Sequence, residues 1–165
     1  MWVVIKFNRN ELNLLRKDFL SKLGKEAKFF LPKLKFQKLI NNRFIFTESL
    51  LLGDYLICFH PSFKNLSTLN TLKYCKGIKY FLNDYYNSQK EINDFIKKCE
   101  EHQDEKGYIK QSFFDFKTKS YFKFISGPFT NIIFKILAKT ENRIKILVKN
   151  HKLTVLNNKY LFKPV

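Results

Sequence analysis

Short β-prone runs separated by turn residues fill the C-terminal part of the chain, and this alternation restricts its fold more than any other feature. A Gly-Pro turn stands at residues 127–128, a polar turn at 139–142, and Asn157-Asn158 forms a third turn signal. Short strands with closely spaced turns are typical of small β-sandwiches and barrels. We therefore predict a small β-barrel of four or five strands at roughly 120–125, 132–138, 143–149, 152–156 and 159–162.

The N-terminal part mixes strand and helix patterns. Residues 2–7 (WVVIKF) and 55–59 (YLICF) are rich in β-branched and aromatic residues, which favour strands. From Glu11 onward, leucine and phenylalanine recur at helical spacing, and Gly24 is a fitting end for this helix. Further signals predict strands at 27–31, 43–46 and 78–82, a hairpin turn at Asn41-Asn42, and helices near 63–71 and 89–101.

The two patterns together predict the fold class and the domain organisation. The order β-α-β-β-β-α-β-α, followed by strands alone, predicts an α+β protein whose N-terminal antiparallel sheet is flanked by helices. An acidic island at 84–105 separates two basic blocks and suggests a boundary. We predict domains at 1–101 and 119–165, with a polar linker at 102–118 between them.

The net charge of +17 indicates a polyanionic partner. Heavy use of Lys, Asn, Ile and Phe is also expected from an AT-rich genome, so part of this charge has a second explanation. Only four of the 31 basic residues are arginines. Because lysine contacts phosphates more often than it reads bases, we expect backbone electrostatics with little sequence recognition.

The chain shows no signature of a catalytic or metal centre. Cys58, Cys75 and Cys99 lie far apart and the histidines are scattered, which argues against a zinc site and a disulfide framework. No phosphate-binding loop or hydrolase motif is present. The remaining enzymatic alternative, a metal-dependent nuclease, would need carboxylates that converge from several elements. We expect neither enzyme activity nor a cofactor.

The distribution of apolar residues argues against a membrane role. The longest apolar runs are only a few residues long, far shorter than a membrane span. The N-terminal residues lack the apolar region of a signal peptide. We therefore expect a cytoplasmic monomer that does not bind membranes.

Several segments resemble, in order, those of the NusG family of transcription elongation and antitermination factors. In the N-terminal part, the sequences WVVIKF (2–7), FLPK (30–33), ESLLLGDYLIC (48–58) and GIKYFL (77–82) resemble motifs of the NGN domain of that family. Residues 126–147 resemble the KOW motif, which closes its C-terminal barrel. The resemblance implies an NGN-like domain followed by a KOW domain.

The resemblance also implies binding to RNA polymerase without covalent chemistry. In the family, an apolar groove takes the tip of the polymerase clamp helices, and an opposite edge touches the gate loop across the DNA cleft. Bridging the cleft reduces pausing and raises processivity. The residues that match the groove are Trp2, Leu51, Leu52, Tyr55 and Phe81, and those that match the gate-loop segment are Thr68, Asn70 and Thr71. The alternative for the groove residues is a position in the core, and the alternative for the gate-loop residues is an ordinary polar helix surface.

Two further contacts follow from the resemblance. Arg9, Arg16 and Lys17 cluster at the start of the first helix and on its polar side, a face that in the family lies near the non-template DNA strand. A solvated helix face is the alternative. The KOW barrel of the family recruits termination factor Rho or a small-subunit ribosomal protein. Phe129 is the candidate for that contact, and its alternative role is to pack under the Gly-Pro turn.

Two questions of function stay open at this level. An RNA- or ribosome-binding KOW protein without a polymerase role would depend on residues 106–165, which hold thirteen basic and two acidic residues. It predicts that this part alone binds RNA. Among elongation factors, a general NusG and an RfaH-like paralogue are hard to separate. In RfaH the barrel refolds as a helical hairpin, and the apolar residues at 132–138 and 143–149 fit helical as well as strand spacing.

Overall fold

A computed structural model describes residues 1–156 and 159–165, without the side chains of residues 38–40 and 44. The elements in this part of the chain are β1 (Trp2–Phe7), α1 (Leu12–Leu23), β2 (Lys28–Phe30), β3 (Lys33–Ile40), β4 (Arg43–Leu50), β5 (Tyr55–Phe59), α2 (Leu66–Leu72), β6 (Ile78–Phe81), α3 (Gln89–Glu101), β7 (Tyr121–Phe124), β8 (Ile133–Lys139), β9 (Arg143–Val148), β10 (His151–Leu156) and β11 (Phe162–Pro164). The predicted turn at Asn157-Asn158 lies outside the described residues.

These elements form two compact units. The first comprises Met1–Pro32 and Leu50–Glu101, and the second comprises Lys33–Ser49 and His102–Val165. The N–H of Leu51 donates a hydrogen bond to the carbonyl of Pro32 (2.8 Å), so the first unit is closed where the chain leaves it and returns. The hairpin of β3 and β4 belongs to the second unit, although its sequence interrupts the first.

In the first unit, an antiparallel sheet with the strand order β2-β5-β1-β6 lies between helices. One face of β1, formed by Val3, Ile5 and Phe7, is fully buried in a core that includes Leu15 and Phe19 of α1 and residues of α2. The other face packs with α3, because Ile57 of β5 clusters with Ile92 and Ile96. Strand alternation thus gives each face of the sheet its own helical cover.

The ends of α1 follow from local chemistry. The Asn8 side chain accepts a hydrogen bond from the N–H of Asn10 and caps a 3-10 turn at Arg9–Glu11, which runs directly into α1. Gly24 ends the helix with a φ of 78°, and its N–H donates to the carbonyl of Leu20. Glycine adopts this left-handed backbone without steric cost. The predicted helix between Glu11 and Gly24 is confirmed.

The second unit contains a five-stranded antiparallel sheet with the strand order β10-β9-β8-β7-β11. One face of all five strands supplies a single core of Phe122, Phe124, Phe134, Ile136, Ile144, Ile146, Val155 and Phe162. A sheet that buries one face against itself has to curl, as in small barrels. The predicted α+β class, with a helix-flanked antiparallel sheet and a C-terminal barrel-type sheet, is confirmed.

The last strand lies later in the chain than the predicted strand at 159–162. It spans Phe162–Pro164, since residues at Lys159 and Tyr160 form a turn instead. Phe162 enters the core, and the N–H of Leu161 donates to the Ser126 hydroxyl (2.6 Å). Phe162, which fills the core, therefore fixes the register of the last strand. The sequence alone suggested an earlier start because Tyr160 and Leu161 are also apolar.

Residues 102–118, predicted as a linker, lie in the second unit. Gln111 begins a 3-10 turn here, and its side chain forms hydrogen bonds with both backbone groups of Phe162, at 2.7 Å to the N–H and 2.6 Å to the carbonyl. Phe114 and Phe116 pack against the sheet core. The predicted domain limits at 101 and 119 stay a prediction.

Asn41 and Asn42 connect β3 to β4, as predicted. Both have positive φ, 49° and 59°. A two-residue loop with two positive φ angles is the type I′ turn that matches the twist of a hairpin, and Asn tolerates it better than most residues. The sequence signal and the backbone geometry agree here.

Candidate protein- and nucleic-acid-binding surfaces

An open apolar groove lies between the sheet of the first unit and α3. It has a volume of about 310 Å³ and is lined by Val4, Leu52, Tyr55, Ile57, Leu82, Glu91, Ile92 and Phe95. Val4 and Ile57 provide the floor from the centre of the sheet, whereas Ile92 and Phe95 provide the helical wall. The residue types predict that the groove binds an apolar segment of another molecule rather than a polar ligand.

Leu52 and Tyr55 form the end of the groove where the chain enters β5. The N–H of Gly53 donates to the carbonyl of Leu50 (3.2 Å), and the N–H of Tyr55 donates to that of Leu52 (3.3 Å), so Leu52 sits in a tight turn. Gly53, with a φ of 63°, allows this turn. The ammonium of Lys6 lies 4.2 Å from the centroid of the Tyr55 ring. The turn and this cation–π contact hold the two side chains in place.

The other three predicted groove residues lie elsewhere. Trp2 packs against the same cluster, but its indole N–H donates to the Asn93 side chain (2.9 Å), so it holds α3 rather than lining the groove. Leu51 is half-buried and is not a lining residue. Phe81 was expected in the groove, but it pairs with Ile5 and packs against the core on the opposite face of the sheet, which α1 covers.

Leu82 occupies the groove position that the sequence suggested for Phe81. Its N–H donates to the carbonyl of Val4 (2.8 Å), and its side chain joins the lining. Adjacent strand residues point to opposite faces, so an error of one residue changes the face. Alternation along β1 together with the pairing of β6 would have identified Leu82; Phe95 could have been identified from the apolar face of α3.

The predicted gate-loop residues lie on α2. Leu69 and Leu72 bury one side of this helix, whereas Thr68 is half-buried and Asn70 and Thr71 are exposed. The Thr71 hydroxyl donates to the carbonyl of Ser67 (3.1 Å). A polar helix surface is thus available at these positions, and its binding role stays a prediction.

The three predicted DNA contacts have different environments. The Arg9 guanidinium forms an ion pair with Asp54, to which Lys6 also contributes at 3.8 Å. Arg16 is half-buried, with its guanidinium carbon 5.8 Å from the centroid of the Phe29 ring. Lys17 is exposed. Arg9 would therefore have to exchange a carboxylate for a phosphate, whereas Lys17 is already exposed to solvent.

Phe129 packs under the Gly-Pro turn. Its ring centroid is 5.6 Å from that of Phe124 and 6.0 Å from that of Tyr160. Gly127 has a φ of 78°, and a Cβ there would come within 2.4 Å of the Tyr160 ring. The aromatic cluster thus explains the glycine, and the half-buried Phe129 has a packing role whether or not it contacts a partner.

In residues 1–156 and 159–165, no group of three or more His, Cys, Asp and Glu side chains could hold a metal ion. Cys58, Cys75 and Cys99 are free and buried. Of the described helices, none combines the length and apolar character needed to cross a membrane.

Comparison with known proteins gives likenesses at the level of structure. No protein-family model and no curated protein matches the chain. The MjSpt4:Spt5 complex, in its conformation B, has a chain that is 10% identical, with a TM-score of 0.34; the match covers 100% of this chain and 98% of that one. NusG from Thermotoga maritima is 11% identical, with a TM-score of 0.35 and coverage of 99% and 96%. Both TM-scores are low, so neither likeness by itself indicates a function.

Proposed function

We propose that the chain is a NusG-like factor that binds RNA polymerase and promotes processive transcription elongation and antitermination. The observation that carries this proposal is the apolar groove at Leu52 and Tyr55. These two residues belong to the segment 48–58 that resembles the family signature, and they line an open surface rather than a closed core. A sequence resemblance and a structural groove thus coincide at one place.

The groove suits the tip of the polymerase clamp helices, which it would bind by burial of apolar surface. Such burial contributes about 25 cal/mol per Å² and needs no catalytic group. The exposed polar residues Asn70 and Thr71 on α2 supply the contact to the gate loop. Binding both sides of the DNA cleft disfavours its opening, and Lys17 would then approach the non-template strand.

The second unit is proposed to recruit a partner, either Rho or a small-subunit ribosomal protein. We place the factor in the cytoplasm as a monomer. The proposal covers both a general factor that acts on all genes and a specialised factor that acts, like RfaH, on a few. Its mechanism is mechanical: the factor stabilises the closed polymerase, and no bond is made or broken.

A pull-down of core RNA polymerase from the same organism tests the proposal. The full chain should retain the polymerase, and the Leu52→Ala/Tyr55→Ala variant should lose it. Leu20→Ala is the matched control, because Leu20 is an exposed apolar residue of α1 outside the groove. Folding of each variant is checked by circular dichroism.

Two outcomes would contradict the proposal. Failure of the folded wild type to bind polymerase would favour the RNA- or ribosome-binding alternative. Equal binding by the groove variant and by Leu20→Ala would show that the groove is not the contact. Loss in the groove variant alone would support both the factor and its surface.

A further inference from the structure

Glu91 is the one charged side chain among the described residues that line the apolar groove of the first unit. It lies in the first turn of α3 and is exposed to solvent. Its carboxylate forms no ion pair with another described residue, because the carboxylates of the ion pairs in the described chain are those of Asp54 and Glu48. The carboxylate is therefore available to a cation of a binding partner.

The direction of Glu91 follows from the way in which α3 is anchored. Gln89 and Asn93, two positions before and after Glu91, both form hydrogen bonds with Trp2 of β1. The side chain of Asn93 also donates to the carbonyl of Gln89 (2.8 Å). Since residues two positions apart on a helix lie about 200° apart around its axis, Glu91 points away from this anchor. It lines the groove instead.

An apolar contact lies beside the carboxylate. Phe95 follows Glu91 by four positions on α3, and both line the groove. Helix residues with this spacing are neighbours on one face, about 6 Å apart. A segment that packs against the ring of Phe95 therefore comes within reach of the carboxylate of Glu91.

On the sheet side of the groove, the charges are already paired with each other. The ammonium of Lys6, which lies 4.2 Å from the centroid of the Tyr55 ring, is 3.8 Å from the Asp54 carboxylate. Asp54 also forms an ion pair with Arg9. The charge that the groove lining offers to a partner is thus negative, although the whole chain carries +17. A basic segment is the complementary occupant.

Desolvation makes this complementarity selective. A segment that docks in the groove removes water from Glu91, and a carboxylate that loses water without gaining a partner is costly. A lysine or arginine placed against Glu91 avoids this cost. Segments that are apolar or acidic at this point are penalised, and such a penalty on the wrong partner is a general source of specificity.

We propose that Glu91 selects the segment that binds in the groove by pairing with a lysine or arginine of an amphipathic helix. Apolar residues of that helix contact Leu52, Tyr55 and Phe95, and its basic residue contacts Glu91 beside them. The inference rests on the proposed function, in which the helix belongs to the polymerase clamp. It adds the residue that determines which helix fits.

The Kd of the full chain for core RNA polymerase from the same organism, measured by biolayer interferometry, tests the proposal. Glu91→Gln should raise the Kd by up to about fivefold, as expected for the loss of one ion pair at a surface. Glu91→Lys should raise it at least about tenfold, because it places like charges together.

Asp94→Asn and Asp94→Lys are the matched controls. Asp94 is exposed on α3 and is not a lining residue of the groove, and each control repeats the change in net charge of the corresponding Glu91 variant. Both should bind within about twofold of the wild type, as is usual for a surface substitution outside a contact. Circular dichroism checks that every variant is folded.

A charge exchange separates a direct contact from a structural role. Each lysine and arginine at the tip of the clamp helices is replaced in turn by glutamate. One of these polymerase variants should restore the binding of Glu91→Lys and should bind Asp94→Lys no better than it binds the wild-type chain. A role of Glu91 in the folding of α3 alone would give no such rescue.

Three results would overturn the proposal. The first is an equal Kd for Glu91→Lys and Asp94→Lys. The second is tighter binding by Glu91→Lys than by the wild type, which would mean that the partner is acidic at this point. The third is the absence of rescue by every substitution in the clamp helices.

Failure of this inference is distinguishable from failure of the proposed function. If any of these three results is found while Leu52→Ala/Tyr55→Ala still loses the polymerase, the groove remains the contact and only the role of Glu91 is refuted. If the folded wild type does not bind polymerase at all, the proposed function is refuted and this inference with it.

Discussion

The side chain of Gln89 forms hydrogen bonds with both backbone groups of Trp2. The Trp2 N–H donates to Oε1 of Gln89 at 2.9 Å, and Nε2 of Gln89 donates to the Trp2 carbonyl at 2.8 Å. Strand β6 ends at Phe81, and the next N–H, that of Leu82, donates to the carbonyl of Val4. Beyond this point Gln89, instead of a strand residue, bonds to the backbone of β1. This contact fixes the N-terminal end of α3 against the sheet and thereby sets the wall of the groove.

Gln89→Ala should destabilise the first unit by about 1–3 kcal/mol, because it leaves the partly buried N–H and carbonyl of Trp2 without a partner. Asn93→Ala removes an exposed hydrogen bond to the Trp2 indole and should cost about 1 kcal/mol or less. Urea unfolding followed by circular dichroism measures both. An equal loss of unfolding free energy in the two variants would mean that the two hydrogen bonds of Gln89 to the Trp2 backbone stabilise the unit no more than the single bond of Asn93.

Gly127→Ala should destabilise the second unit more than Gly107→Ala. Both glycines have a φ of 78°, so both substitutions strain the backbone by about 1 kcal/mol. Only the Cβ at position 127 would meet the Tyr160 ring, at 2.4 Å, whereas position 107 has nothing within 4 Å. Thermal unfolding of the two variants separates strain from collision. Similar midpoints would show that the ring moves aside freely.

Tyr108→Phe should raise the pKa of Glu48. The Tyr108 hydroxyl donates a hydrogen bond to the Glu48 carboxylate, and Lys33 donates a second at 2.9 Å; together they hold the pKa of Glu48 below its ordinary value. A lowered pKa in the folded state stabilises the protein above the unfolded pKa, and this stabilisation is lost as the pH falls through the folded pKa. Nuclear magnetic resonance titration of Glu48 provides the measurement.

The stability difference between wild type and Tyr108→Phe should therefore shrink as the pH falls below about 4.3, the ordinary pKa of glutamate. Lys33→Gln serves as a comparison, because it removes the second donor and leaves the hydroxyl. An unchanged Glu48 titration in Tyr108→Phe would contradict the assignment of the hydrogen bond. The carboxylate is exposed, so the pKa is a clearer readout than the unfolding free energy.

Cys58 should resist alkylation in the native protein. Burial raises the pKa of this thiol to about 12, so little thiolate exists at pH 8. Cys99 has its pKa raised to about 12 as well, mainly by burial and then by the Glu100 charge. Iodoacetamide labelling read by mass spectrometry should modify both only after denaturant is added. Rapid labelling of Cys58 in native buffer would show that this part of the sheet opens often.

Local signals in the sequence predict most of the elements because the deciding information lies within a few residues. Asn41-Asn42 specifies a turn, and Gly24 specifies the end of a helix. The last strand is different, because its position depends on where Phe162 meets a core built by distant residues. Gln111, within the predicted linker, bonds to the backbone of Phe162, and no local pattern indicates that contact.

The groove was predictable only in part. Leu52 and Tyr55 lie in a continuous signature, so the resemblance locates both. Phe81 and Leu82 differ by one position, and the face of each depends on pairing with β1 about 75 residues earlier in the sequence. The ion pair of Arg9 with Asp54 likewise joins residues that are 45 positions apart. Contacts of this kind need the register of the sheet.

The interruption of the first unit by the β3–β4 hairpin has a consequence for synthesis on the ribosome. Strand β1 emerges early, but its partners β5 and β6 follow only after the whole hairpin has been translated. The hairpin, closed by two asparagines, needs only neighbouring residues and can form within microseconds. We therefore expect the sheet that bears the groove to form only after the whole hairpin has been translated, and the five-stranded sheet to close only once Phe162 can reach its core.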